Sequence, residues 1–344
     1  MKQFLLLSVT ATLTCTMSFA KIWRVNNNSG ITADFTTLQA AHDGASSGDT
    51  IYLESSPNGY GGLSCSKKLA IIGTGYFLDQ NTDLQAFTLP SHVASITFNA
   101  GSQGSSVEGL SFDNNSIYIN VNDIVVRRNY FASANGTTPD YYVGGVAIYN
   151  GASNILITQN YALQINSNSS STGVLISNNV ISFNAYYGET TTQPSINLHA
   201  NTVAIIKNNI FRRGVISAYN SNISNNIMIA GSLAGSGNLI SNNIGNSTQF
   251  GNTSGNKQNV DAGTIFEGTG SFDGAYKLKS GSPAIGAGYG STTASPVDCG
   301  IFSGTTPYKL SGLPAIPSIY FFTNQPVGSN SDPIDVQVKV RSNN

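Results

Sequence analysis

Two short segments of the chain place neighbouring tyrosines beside an acidic residue. They are Asp140-Tyr141-Tyr142 and Tyr186-Tyr187-Gly188-Glu189. Tyrosine rings stack on the apolar faces of sugar rings, and their hydroxyl groups find hydrogen-bond partners. Arg212 and Arg213 follow later in the chain and could complete the same patch. The pattern indicates a glycan-binding surface, and the alternative is that these tyrosines only fold over their own loops.

Catalytic chemistry has less support in this region. Glu189 is the only acidic residue between positions 141 and 260, so a calcium site built from several carboxylates is not indicated. Asp140 and Glu189 could still form the carboxylate pair of an inverting glycosidase. The three histidines, His42, His92 and His199, are scattered and match no metal-ligand spacing. We therefore predict no catalytic residue, no metal site and no cofactor.

The composition excludes several classes of protein. The 344 residues carry 16 basic and 17 acidic side chains, a net charge of −1, which gives no electrostatic footprint for nucleic acid. Hydrophobic residues make up 40% of the chain and charged residues only 10%, which argues against disorder. An abundance of Asn, Ser, Gly and β-branched residues is typical of β-structure with many turns.

The first twenty residues have the features of a cleavable export signal. Lys2 gives a basic start, a mostly apolar stretch follows, and Ser18-Phe19-Ala20 supplies the small residues of a cleavage site. No later segment is long and apolar enough to span a bilayer. We therefore predict a mature chain that begins at Lys21 and is exported to the periplasm, the outer surface or the medium. In an elongated fold its two cysteines, Cys65 and Cys299, would be too far apart to pair.

One short pattern recurs six times in the middle of the chain. An apolar residue is followed by two mostly polar residues, an asparagine and then mostly apolar residues. The asparagines are Asn129, Asn160, Asn179, Asn209, Asn226 and Asn243. They recur at intervals of between 17 and 31 residues, a range that is typical of solenoid proteins. The segments around them are too short for helices and alternate as strands do.

Each interval is therefore predicted to be one coil of a parallel β-helix, with successive coils about 4.8 Å apart. We expect each asparagine to take the left-handed conformation of a sharp corner and to stack on the next in a hydrogen-bonded ladder. Arg127, Arg128 and Lys207 precede ladder positions, and we expect them to be solvated. Between about residues 246 and 275 the pattern weakens, which indicates either irregular coils or a loop.

The two longest intervals contain the tyrosine segments. If each is a single coil with an inserted loop, the loops lie at similar offsets after Asn129 and Asn179 and rise two coils, or about 10 Å, apart. Both should then project from the same side of the rod, with Arg212 and Arg213 one coil further along.

The two ends of the chain resemble a known family. Phe35-Thr36-Thr37-Leu38-Gln39-Ala40-Ala41 and Ser47-Gly48-Asp49-Thr50-Ile51 stand near the start, and Ser282-Pro283-Ala284-Ile285-Gly286 and Asp298-Cys299-Gly300 near the end. These segments are similar to those of right-handed parallel β-helix proteins of the pectate-lyase-like superfamily, over most of residues 22–315. The resemblance implies a short helix that caps the open N-terminal end, with Asp34 or Thr36 as its N-cap. The family's catalytic residues map to no position here.

The last segment, residues 316–344, has a different pattern. Ile319–Phe322 and Ile334–Val340 read as two strands around a turn, which predicts a β-hairpin. We expect this hairpin to cover the exposed C-terminal end of the solenoid. The predicted organisation is thus a signal segment over 1–20, a parallel β-helix over 21–315 and a hairpin cap over 316–344.

The sequence favours a secreted or cell-surface β-helix protein with a structural or adhesive role and a polysaccharide or cell-surface glycan as its candidate partner. The alternative is a polysaccharide lyase or glycoside hydrolase with a divergent active site, because one β-helix scaffold carries binding proteins and enzymes alike.

Overall fold

The computed structural model describes residues 20–133, 138–184, 192–328 and 333–343. Almost all of the predicted signal segment lies outside these ranges. Within them, no helix is long and apolar enough to cross a bilayer.

A long parallel sheet runs the length of the molecule, and each coil contributes one strand to it. The ten strands in the described residues are, in order along the sheet, β1 (Ile22–Val25), β2 (Thr50–Leu53), β4 (Ala70–Ile72), β6 (Ser106–Glu108), β8 (Val125–Arg127), β12 (Leu156–Thr158), β14 (Val174–Ser177), β17 (Ala204–Lys207), β20 (Asn222–Ser224) and β23 (Leu239–Ser241). We call it the first sheet.

The remaining strands of the coils form a second and a third sheet, which join in one long strand, β13 (Tyr161–Ser167). The second sheet contains β3 (Leu63–Cys65), β5 (Ile96–Phe98), β7 (Ile117–Ile119), β11 (Gly145–Ile148), the C-terminal half of β13, β16 (Pro194–Asn197), β19 (Val215–Ser217) and β22 (Ser232–Ala234). The third sheet contains the N-terminal half of β13, β15 (Val180–Ile181), β18 (Ile210–Phe211), β21 (Ile227–Met228) and β24 (Ile244–Gly245).

Parallel pairing between successive coils confirms the predicted parallel β-helix. The two longest intervals are single coils, because β8 pairs directly with β12 and β14 pairs directly with β17. The interior is filled by one layer of apolar side chains per coil, and side chains in register stack along the axis. Val126, Ile157, Ile176, Ile206 and Ile223 form one such fully buried row.

The asparagine ladder is also confirmed. The Nδ2 atom of each predicted ladder asparagine donates to the Oδ1 atom of the next over 2.9–3.2 Å. Each Oδ1 atom accepts a second bond from the backbone N–H of the preceding ladder residue, as Asn160 does from Asn129. The row continues to Asn256, which the repeat did not predict because it follows Asn243 after only 13 residues.

The left-handed residue of each corner was predicted at the wrong position. It is the residue before the ladder asparagine, with φ between 55° and 58°. The six residues are Arg128, Gln159, Asn178, Asn208, Asn225 and Asn242. The ladder asparagine takes an ordinary conformation because its side chain must point into the corner to stack, so the chain reverses one residue earlier. We call these six residues the corner row.

Side chains of the corner row hold the C-terminal part of the chain against the solenoid. Asn242 donates to the Ala287 carbonyl at 3.0 Å, and Asn178 donates to the Ile301 carbonyl at 2.8 Å. Arg128 is buried rather than solvated and donates to the Leu313 carbonyl at 2.9 Å. The C-terminal segment therefore runs back along the rod, from the last coils towards the first. Arg127, in contrast, pairs with Glu108 on the first sheet.

A helix closes the N-terminal end of the solenoid, as expected. It is α1 (Leu38–Gly44), and its buried Leu38 and Ala41 join the solenoid core. The N-cap is Thr37, whose hydroxyl accepts the Ala40 N–H at 3.3 Å, and neither Asp34 nor Thr36 has this role. The Asp34 carboxylate instead accepts the backbone N–H of Arg24.

The predicted C-terminal hairpin is present, but it does not lie where we expected it. Its antiparallel strands are β25 (Ser318–Asn324) and β26 (Val336–Arg341). The Ile319 carbonyl accepts the Ala86 N–H at 2.8 Å, so the hairpin contacts an early coil. The returning segment has already brought the chain back to that end of the rod. At the other end, the partial coil at residues 246–257 places Phe250 against the core.

Short elements complete the fold. A two-stranded antiparallel sheet is made by β9 (Ala132–Ser133) and β10 (Tyr142–Val143), and the 3₁₀ turns are Ala262–Thr264, Gly274–Tyr276 and Leu310–Gly312.

We predict that Ile206→Asp destabilises the protein by several kcal/mol, because it places an unpaired charge among fully buried side chains. Thermal and urea unfolding followed by circular dichroism measure this. Ile205→Asp is the matched control, since the neighbouring side chain is 46% exposed and should cost less than about 1 kcal/mol. Similar melting temperatures for the two variants would contradict the assignment of Ile206 to the interior and Ile205 to the surface of the coil.

Cys65 and Cys299 are unpaired, as predicted, and both are buried. Burial raises the pKa of both thiols, that of Cys299 to about 12. We therefore predict that neither reacts with Ellman's reagent at pH 8 in the native mature protein, because the thiolate is the reactive form. Both should react after unfolding in guanidinium chloride. Rapid modification of the native protein would show that the C-terminal segment over Cys299 opens readily.

Candidate functional site

The candidate site lies on the outer side of the third sheet. The outward positions of this sheet form one row along the rod, because isolated bridges extend it from Tyr161 through Tyr130 and Ser111 to His92. Towards the other end the row continues with Val180, Ile210, Ile227 and Ile244. The row thus changes from polar through aromatic to aliphatic side chains. A visible signal was the pair of apolar residues after most ladder asparagines, which is typical of a strand buried on both faces.

Residues 261–313, which we call the C-terminal layer, cover the aliphatic part of this row. Ile265, Ala284 and Ile301 of the layer pack with Ile210 and Ile227 of the third sheet in a second hydrophobic cluster outside the solenoid. The sequence did not predict this cluster, since the layer has no regular repeat.

The predicted patch residues Asp140, Arg212 and Arg213 come together, but as a largely buried cluster. The Asp140 carboxylate is fully buried; it pairs with Arg212 and lies 3.7 Å from Arg213 Nη1. The Ser182 hydroxyl also donates to it. We expected Asp140 and Arg213 to be exposed ligand-binding groups, and this prediction was wrong because both side chains are buried. A carboxylate inside a protein needs such partners, and here it fixes the inserted loop to the coil that carries the arginines.

The described part of the first inserted segment contacts the residues that lead into the second one. The Val143 N–H donates to the Asn184 side chain, and Ser182 contacts Asp140. Tyr141 and Tyr142 meet edge to face with ring centroids 4.8 Å apart, and Tyr142 is 40% exposed. Tyr186, Tyr187 and Glu189 lie outside the described residues, so their predicted place in the patch is untested.

A pocket of about 400 Å³ opens beside the buried cluster, between the third sheet and the C-terminal layer. Its main lining side chains are Pro139, Tyr161, Arg212, Phe266, Phe272 and Tyr276. The Arg212 cation pairs with Asp140. Because its side chain is still 22% exposed, it also reaches the pocket. The aromatic rings of the layer were missed because they follow the segment where the repeat weakens.

Electrostatics keep this arginine charged. Burial by itself would lower the pKa of Arg212, but the nearby Tyr276, Asp140 and Tyr161 raise it, and the net direction is upward. The pocket therefore combines several aromatic rings with one permanent cation. Among the described residues, no group of three or more His, Cys, Asp or Glu side chains is placed to hold a metal ion.

Four buried tyrosines surround this region and tie the layer to the solenoid. They are Tyr76, Tyr130, Tyr161 and Tyr308. The hydroxyl groups of Tyr76 and Tyr308 are 2.6 Å apart, and the Tyr130 hydroxyl donates to the Pro139 carbonyl. Burial raises the pKa of all four phenols above the ordinary value.

Comparisons with known proteins found no match for this chain among family models, curated proteins or solved structures. The interpretation of the site therefore depends on its geometry.

We predict that the protein loses stability steeply above pH 10. Tyrosine pKa values raised by folding contribute stability that is fully present below the unfolded value of about 10 and is lost as the pH rises beyond it. Circular dichroism and phenolate absorbance at 295 nm, measured from pH 8 to 12, should show the buried phenols ionising together with unfolding. Complete ionisation of all tyrosines with the fold intact would contradict this.

Proposed function

We propose that the protein is an exported, non-catalytic β-helix protein that binds glycans in the pocket between the third sheet and the C-terminal layer. The observation that carries this proposal is the lining of the pocket, where the partly exposed rings of Phe272 and Tyr276 accompany the partly exposed Arg212. Aromatic faces and charged hydrogen-bond donors are the groups that bind the apolar and polar sides of a sugar ring.

The size and shape of the pocket support a short saccharide segment. Its volume of about 400 Å³ lies within the range of small-ligand sites. The walls come from two different parts of the chain, and hydrogen bonds from the corner row anchor the layer in place. A preformed site of this kind loses little conformational entropy when a ligand binds.

The resemblance of both chain ends to the pectate-lyase-like superfamily also supports a saccharide ligand and export. The lyase or hydrolase alternative has less support, because the Asp140 carboxylate is enclosed by Arg212, Arg213 and Ser182. In this state it can neither accept a proton from a substrate nor activate a water molecule. Glu189, its proposed partner, lies outside the described residues.

We predict that Tyr276→Ala weakens retention on an immobilised glycan by about 1–3 kcal/mol, if stacking in the pocket carries the binding. The mature protein is first screened against neutral and acidic polysaccharides for retention and for cleavage, and the variant is then compared on the best ligand. Tyr289→Ala is the matched control, since Tyr289 belongs to the same layer, is 70% exposed and lies outside the pocket.

Tyr141→Ala combined with Tyr142→Ala separates the loop tyrosines from the pocket. Equal retention by this double variant and the parent places binding in the pocket, whereas a loss confined to the double variant moves it to the inserted loop. Retention that disappears with a chelator, or cleavage of the polymer, would overturn the proposal in favour of an enzyme.

A further inference from the structure

Asp49 places a buried carboxylate at the N-terminal end of the first sheet, where the residue is only 4% exposed. Its Oδ2 atom accepts the indole N–H of Trp23 and the backbone N–H of Ser46, both at 2.8 Å. Its Oδ1 atom accepts the backbone N–H of Lys21, also at 2.8 Å. Burial by itself would raise the pKa of Asp49, but these N–H donors lower it, and the net direction is downward. The carboxylate is therefore ionised.

This ionised carboxylate is held by neutral donors. Among the described residues, no lysine, arginine or histidine side chain forms a salt bridge with Asp49. The Lys21 ammonium group instead lies over the Trp23 ring, with Nζ 3.2 Å from the ring centroid. A buried carboxylate is stabilised further when one of its hydrogen-bond donors carries a positive charge.

The backbone nitrogen of Lys21 is in the position where such a charge would be useful. In the structure this nitrogen is an amide bonded to Ala20, and the sequence predicts that the export signal is cleaved between these two residues. Both residues are exposed, so the peptide bond between them is accessible. The Lys21 carbonyl accepts the Thr50 N–H at 2.8 Å, which fixes Lys21 beside the carboxylate from its other end.

We infer that removal of the export signal creates an α-ammonium group on Lys21 that forms an ion pair with the Asp49 carboxylate. A signal peptidase hydrolyses the Ala20–Lys21 peptide bond with one water molecule. The new carboxylate stays on Ala20, and the new amine of Lys21 takes up a proton near neutral pH. A neutral N–H donor to Asp49 Oδ1 thus becomes a cationic donor at the same distance.

The ion pair fastens the first strand of the solenoid. β1 is the terminal strand of the first sheet, and its Ile22 is 65% exposed, so this end has few other contacts to hold it. The uncleaved chain lacks the pair, which makes the mature chain the more stable form. The inference rests on the proposed export of the protein, but it does not depend on glycan binding.

The test compares two chains released from a fusion protein by a protease that leaves no extra residue. One begins at Lys21, and the matched control begins at Ala20. Both have the same formal charge, but in the control the Lys21 nitrogen remains a neutral amide. We expect the chain that begins at Lys21 to melt roughly 2–4 °C higher at pH 7. Equal melting temperatures would overturn the inference.

Asp49→Asn in both chains tests whether the carboxylate is the partner. We expect the difference in melting temperature to disappear, because asparagine carries no charge, and a difference that persists would contradict the pair. If this variant fails to fold by circular dichroism, acetylation of the two parent chains by acetic anhydride at pH 8 replaces it. The α-amine of Lys21 should react roughly 5–10-fold more slowly than that of Ala20, because pairing stabilises the unreactive ammonium form. Equal rates would contradict the pair.

The cleavage site is tested separately from the ion pair. Mass spectrometry of the protein that a bacterial host exports from the full sequence gives its first residue. Lys21 at this position supports the inference, and any other first residue overturns it. Retention on glycans is measured independently, so failure of the proposed binding function would be recognised as a different result.

Discussion

The fold depends on a row of amides that is completely enclosed. Each ladder asparagine is buried, and its Nδ2 atom donates both to the next asparagine and to a backbone carbonyl of an adjoining coil, as Asn179 does to Asn209 and to the Ile157 carbonyl. Since an unpaired buried amide is costly, a shift of any coil by one residue would break bonds on both sides of it. The ladder therefore fixes the register of the coils, and coils of very different length can still stack.

The same corner also organises the outside of the rod. Because the left-handed residue comes immediately before the ladder asparagine, its side chain points away from the core and meets the returning C-terminal chain. Asn178 and Asn208 both donate to the Ser303 carbonyl in this way. One repeated turn thus stacks the coils on its inner side and holds the C-terminal layer on its outer side. The pocket lined by Arg212, Phe272 and Tyr276 exists because this layer is held against the third sheet.

Buried charges follow the same logic of complete pairing. Asp140 is surrounded by two arginines and a hydroxyl, whereas Asp273, also fully buried, accepts hydrogen bonds from uncharged groups. It accepts the Ser311 N–H at 2.6 Å and the hydroxyls of Ser271 and Tyr308. Each carboxylate joins segments that are distant in sequence, so each acts as a fastening point.

Much of the solenoid could be predicted from the sequence alone. The recurring asparagines and the apolar residue three positions before each of them indicated the coils, because one short local pattern fixes both a corner and a core position. The hairpin of residues 318–341 was visible for the same reason, as its alternation is local. The path of the C-terminal layer and the burial of Asp140 and Arg213 were decided only by the tertiary structure. These contacts join residues with no common repeat, and whether a charged or aromatic side chain is exposed depends on what another part of the chain lays over it.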